Sequence, residues 1–146
     1  MNTSSIRIIG GRHKSYRIVF KASPALRPTS DRAKETLFSW LQFELENKSC
    51  LDLFAGTGSL GLEALSRGAQ HVTFVEREKS LYKNIVKNIS DLGYENKIQA
   101  VCSDSFKWLK INKQKFDLIF LDPPFDLIDY KMLIRAIFQN NALNED

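Results

Sequence analysis

The sequence predicts an α/β fold: a parallel sheet of strand order 3-2-1-4 with helices on both faces, preceded by an antiparallel β-hairpin. Three observations predict it. From Ser49 onward, short apolar runs alternate with stretches of helical spacing, the pattern of parallel strands joined by right-handed crossovers. A glycine-rich turn, "FAGTGSLG", lies between the first apolar run and the first helical stretch, as at the switch point of a doubly wound sheet. Ahead of both, "SIRIIGGRHKSYRIVFK" sets two β-prone runs around a Gly-Gly and polar turn.

Taken in order, residues 1–25 form a basic hairpin unit and 26–146 the main domain. "ALRPTSDRAKETLFSWLQFEL" begins extended at Arg-Pro, offers Thr, Ser and Asp as N-caps, and continues as a helix with Ala33, Leu37, Trp40 or Leu41, and Leu45 on one side. "CLDLF" is the first parallel strand. "SLGLEALSRG" is a helix closed by Gly68, and "HVTFVE" the second strand. In "KSLYKNIVKNISDLG", Leu81, Ile85, Ile89 and Leu92 recur at helical spacing until Gly93 stops them. "KIQAVC", "SDSFKWLKI", "FDLIFLD" and "DYKMLIRAIF" complete the alternation, the last helix capped by Asp129. Four strands leave strand 4 as an apolar edge, a pairing liability. Either something covers that edge or the polypeptide is a shortened form.

At 146 residues the chain suits one domain with a real core. A hydrophobic fraction of 43% and a charged fraction of 26% exclude disordered and fibrous classes. Charge placement is uneven: residues 1–35 carry eight basic groups against two acids, an excess of +6 where the whole chain has +4. A basic front on a near-neutral body suits a polyanion. Cys50 and Cys102 lack metal-ligand spacing and read as small core residues, while His13 and His71 read as surface histidines. That spacing predicts no metal partner, and the lack of an 18-residue apolar stretch and of a signal peptide predicts a cytoplasmic protein with no membrane partner.

The chemistry concentrates at strand ends. Gly56 and Gly58, with Gly61 three residues on, allow a close approach of backbone to ligand. Asp52, four residues before Gly56, is poor for a pyrophosphate and good for a cationic amino acid such as the methionine part of S-adenosylmethionine. Glu76 ends strand 2 twenty residues after Gly56, the offset at which an acid bonds ribose hydroxyls. Asp104 ends strand 3, where it either accepts from an adenine amine or caps the following helix. In "LIFLDPPF", the Asp122 carboxylate and the Pro123 carbonyl can accept hydrogen bonds from an exocyclic amine, pushing electron density onto its nitrogen. Phe125 offers a face on which an unpaired base can stack.

At these residues the chain resembles the class I S-adenosylmethionine-dependent methyltransferases of the amino-methylating branch, which share a Rossmann-like sheet. More narrowly it resembles the RsmD family of bacterial 16S ribosomal RNA guanine-N2 methyltransferases, through "RIIGGRHKSYRI", "LRPTSDRAKETLFSWL", "LDLFAGTGSLGLEALSRGA" and "DPPF". The resemblance implies a cofactor site from Asp52, Phe54, Gly56, Gly58, Glu76, Asp104 and Ser105, and catalysis at Asp122, Pro123 and Phe125. It implies that Arg7, Arg12, Lys14, Arg17, Arg27 and Arg32 meet 16S rRNA within a small-subunit assembly particle. It also implies further strands beyond the fourth, which this sequence lacks. Rival readings are an adenine-N6 DNA or protein-glutamine methyltransferase, a nicotinamide-binding oxidoreductase, and an RNA- or cofactor-binding remnant without turnover.

Overall fold

A computed structural model of the protein describes residues 3–21, 29–123 and 129–144. Strand β1 (Thr3–Arg7) pairs antiparallel with β2 (Arg17–Lys21), in a register running from Thr3 opposite Lys21 to Arg7 opposite Arg17. The polar turn between them includes Gly11, whose φ of +79° is a conformation glycine adopts without strain. Helix α1 (Asp31–Trp40) follows, with Ser30 as N-cap.

The main sheet has four parallel strands, β3 (Ser49–Asp52), β4 (His71–Glu76), β5 (Ile98–Cys102) and β6 (Leu118–Phe120), in the spatial order β5-β4-β3-β6. This is the expected 3-2-1-4 arrangement. Helices α2 (Ser59–Ser66), α3 (Lys79–Leu92) and α4 (Ser105–Ile111) make the three crossovers, and α5 (Tyr130–Gln139) follows β6. Gly93 ends α3 at a φ of 78°, and Asp129 caps α5 by accepting from the Lys131 N–H.

Strand alternation divides the interior into two cores. On one face Cys50, Val72, Phe74 and Phe120 pack with Leu62 of α2, Ile85 and Ile89 of α3, Phe38 of α1, and Ile8 and Ile18 of the hairpin unit. On the other, Leu51, Leu53 and Val75 pack with Trp108 and Leu109 of α4 and Leu133 and Ile137 of α5. The hairpin and α1 therefore share a core with the central strands. Among the described residues, no helix is long and apolar enough to cross a membrane.

Three expectations need correction. Leu37 and Leu41 pack half-buried against the core and Leu45 is buried, as expected, but the fully buried positions of α1 are Lys34 and Phe38, whereas Ala33 is exposed and Trp40 is 76% exposed. The reason is that Lys34 finds a buried counter-charge, which an apolar pattern does not register. Lys34 is accordingly withdrawn from the basic surface. Cys50 is a core residue, but Cys102 is exposed at the end of edge strand β5. His13 and His71 are half-buried, and burial lowers the pKa of both. The edge beside β6, for which a cover was one of two alternatives, is covered just ahead of the strand: the Phe116 N–H donates to Ala142 and the Asn144 N–H to Phe116, forming a parallel bridge between Phe116 and Leu143.

Candidate active site

The carboxyl ends of β3, β4 and β6 converge beside the glycine turn. Across the β3–β6 pair Asp52 lies opposite Phe120, and Asp122 follows two residues later. Leu51 and Leu53 face the α4–α5 core, so Asp52 between them faces α2. Its Oδ2 accepts the Gly61 N–H at 3.0 Å, and its residue is 1% exposed. Burial pushes the Asp52 carboxyl up to about 8; the Gly61 hydrogen bond opposes the shift, and the charges of Asp122 and Glu76 add to it. The strand-end acids Glu76 and Asp122 thus lie close enough to Asp52 for their charges to act on it.

The turn is held from both sides. Glu76 accepts the Gly56 N–H through Oε1 at 2.8 Å and the Glu78 N–H through Oε2 at 2.7 Å. Burial raises the Glu76 pKa against the pull of these two donors. Gly58 has a φ of 83° and precedes α2 directly. At the first turn of α2 the Ser59 N–H is taken by Thr57 Oγ1 at 3.2 Å and the Gly61 N–H by Asp52. A helix start that binds phosphate must leave such donors open. Here the Asp52 carboxyl of the chain already takes the Gly61 donor, which disfavours a pyrophosphate, and a ligand bearing positive charge would draw the proton off Asp52 and pair with the charge left behind.

Asp104 accepts the Lys107 N–H at 3.0 Å and caps α4. Ser105 is buried, and its hydroxyl donates to the Leu53 carbonyl, tying α4 to the end of β3. Phe54 is half-buried against the α4–α5 core. Asp122 is exposed, Pro123 is buried, and Asp122 Oδ2 accepts a hydrogen bond from Thr29 Oγ1 at 2.8 Å. Phe125 and Arg27 lie outside the described residues.

The basic residues lie on the hairpin unit and at the start of α1, which adjoins Thr29, the partner of Asp122. Arg12, Lys14 and Arg32 are exposed; Arg17 reaches Ser5 Oγ at 3.2 Å, and Arg7 pairs with Asp31 at 3.3 Å. Sequence reasoning missed Thr29, absorbed into a generic N-cap region, and Thr57, inside the glycine loop. It also missed the buried Glu63, which accepts from the Ile9 and Gly10 N–H groups at 2.9 Å each and faces both Lys34 and Arg67. The available signal was an acid within the otherwise apolar "LGLEAL".

Comparison with known proteins adds an independent line. The family model described as Conserved hypothetical protein 95 matches residues 6–146. The protein named Ribosomal RNA small subunit methyltransferase D from Buchnera aphidicola is 44% identical over 123 residues, covering 84% of this chain and 64% of that protein. Its namesake from Haemophilus influenzae is 41% identical over 141 residues, covering 94% of this chain and 73% of that one. A solved structure of an Escherichia coli protein, named there for methyltransferase activity, superposes with a TM-score of 0.87 at 34% identity, over 98% of this chain and 77% of its own. The chain thus spans slightly less than two thirds of the first relative's length.

Proposed function

Because the chain belongs to the Conserved hypothetical protein 95 (RsmD) family, we propose that it transfers a methyl group from S-adenosylmethionine to the N2 amine of a guanine in 16S rRNA. The crowding of Asp52, Glu76 and Asp122 around one glycine turn, whose helix start is capped from within, is the observation that carries this reading. A zwitterionic, sulfonium-bearing cofactor fits such a site because its positive charge relieves the repulsion among the acids. The names of the relatives support a small-subunit ribosomal RNA substrate.

In this reading Asp52 lies nearest the amino-acid end of the cofactor, and Glu76 exchanges its loop N–H partners for ribose hydroxyls. Asp104 keeps its helix cap while its other oxygen serves the adenine amine. Phe54, Gly56, Gly58 and Ser105 shape the walls. When bound, S-adenosylmethionine supplies a methyl group on positively charged sulfur and departs as the neutral thioether. The guanine amine is a weak nucleophile because its lone pair is delocalised into the ring. Asp122 and the Pro123 carbonyl each accept one of its N–H bonds, which returns density to nitrogen as the N–C bond forms. The proton that nitrogen then sheds passes to the Asp122 carboxylate, whose exposure lets it reach solvent. Phe125 stacks on the base, and Arg7, Arg12, Lys14, Arg17, Arg27 and Arg32 meet the RNA backbone in a small-subunit particle.

The test is methyl transfer to small-subunit RNA, read by nucleoside mass spectrometry. N2-methylguanosine is the expected product, and Asp122→Ala should slow its formation by about 10²–10⁴-fold, with a much smaller change in calorimetric cofactor affinity. Wild-type turnover in Asp122→Ala would refute the mechanism. N6-methyladenosine as the product would instead transfer the chemistry to adenine.

A further inference from the structure

We propose that Thr29 is a positioning residue for Asp122, an inference that rests on the methyl-transfer reading above. Thr29 Oγ1 donates to Asp122 Oδ2 at 2.8 Å, across 93 positions of the chain. An exposed carboxylate is not held by packing, so its hydrogen bonds select its rotamer. Among the described residues Thr29 is the side chain that supplies one.

The donor is itself firmly placed. Ser30, the next residue, caps α1 by accepting the Ala33 N–H at 3.1 Å. Asp31 pairs with Arg7 at 3.3 Å. Within the first turn of α1, Lys34 is fully buried; its Nζ donates to the Arg7 carbonyl at 2.7 Å and lies 3.6 Å from Glu63. Thr29 therefore presents its hydroxyl from the anchored start of a helix.

The chemistry of the donor also suits the site. Lysine or arginine at this position would hold Asp122 equally well, but its charge would oppose a cationic ligand arriving among Asp52, Glu76 and Asp122. A hydroxyl orients the carboxylate and leaves its charge in place. With Oδ2 engaged, Oδ1 has no hydrogen-bond partner among the described residues and remains to accept from the target amine.

Two variants of the full chain separate positioning from general structure. Thr29→Val keeps the shape without the donor, and Thr29→Ser keeps the donor without the methyl group. Thr29→Val should lower kcat by about 10- to 100-fold, since misplacement near 1 Å costs that much, with KM for RNA and cofactor affinity unchanged. Thr29→Ser should recover most of the turnover. A second readout needs no turnover: the carboxyl-carbon NMR signal of Asp122, identified by its loss in Asp122→Asn, should shift and broaden in Thr29→Val and return in Thr29→Ser. Wild-type turnover in Thr29→Val beside an impaired Asp122→Ala would overturn the proposal. Equal losses in both Thr29 variants, or an Asp122 signal that Thr29→Val leaves unmoved, would do the same. Full activity of Asp122→Ala would instead refute the role of Asp122 in the reaction, and absence of methyl transfer by the wild type would defeat the methyl-transfer reading; in both cases the NMR result would still decide whether Thr29 holds the carboxylate.

Discussion

Asp52 shows how one residue serves both fold and site. Its carboxyl closes the first turn of α2 through Gly61, yet it lies away from water and near two other acids, which lifts its pKa from the ordinary 3.8 to about 8. Between those values the native state retains a proton that the unfolded chain has released, so folding stability falls as pH rises and levels off above about 8. Asp52→Asn keeps the acceptor for Gly61 and cannot ionise. Denaturant titrations from pH 4 to 9 should show the variant gaining on the wild type as pH rises through that window. Parallel profiles would mean that Asp52 ionises in the fold as readily as in water. The strand-end position of Asp52 was legible in the sequence; its full burial was not, because burial comes from α2 closing over it.

At the scale of elements, α2 joins the glycine turn to the basic hairpin. It starts in the loop that Asp52 and Glu76 hold, and it ends where Ser66 accepts the His13 N–H and donates to the Gly10 carbonyl. Midway, Glu63 gathers two backbone donors from the hairpin unit, the buried Lys34 and the Arg67 guanidinium. Desolvation lowers the Lys34 pKa and Glu63 opposes that shift. Removing one partner of a buried pair leaves an uncompensated charge, so Glu63→Ala should cost about 3–5 kcal/mol in urea unfolding. Replacing Lys34 and Glu63 together by Met should cost much less than the sum of the single changes, because neither charge is then stranded. Additive losses would show that the pair is not coupled. Periodicity located α1 and the side on which Leu37, Leu41 and Leu45 meet the core, but it missed Lys34, which is stabilised by a partner 29 positions away in the chain.

For the molecule as a whole, charge and chemistry lie in different parts of the chain. Arg12 and Lys14 project from the hairpin turn and Arg32 from the start of α1, while the acids line the sheet's carboxyl end. A polyanion gripped by the first group would bring its target to the second. Each phosphate neutralised changes the slope of log K against log salt by about 0.7 for single strands and about 0.9 for duplexes. Arg12→Ala with Lys14→Ala should therefore weaken RNA binding and flatten that slope by about 1–2, with cofactor affinity unchanged. An unaltered slope would place the RNA on another face.

The strand and helix alternation, the 3-2-1-4 order and the acid-flanked glycine turn followed from the sequence alone, because periodicity, turn chemistry and crossover handedness are local or topological rules. Only the tertiary structure decided what each polar group touches. It placed Lys34 inside, paired Arg7 with Asp31, exposed Cys102 and brought Thr29 to Asp122. These contacts link residues far apart in the chain, and a polar side chain carries no periodic mark of whether its partner is water or a distant segment of protein.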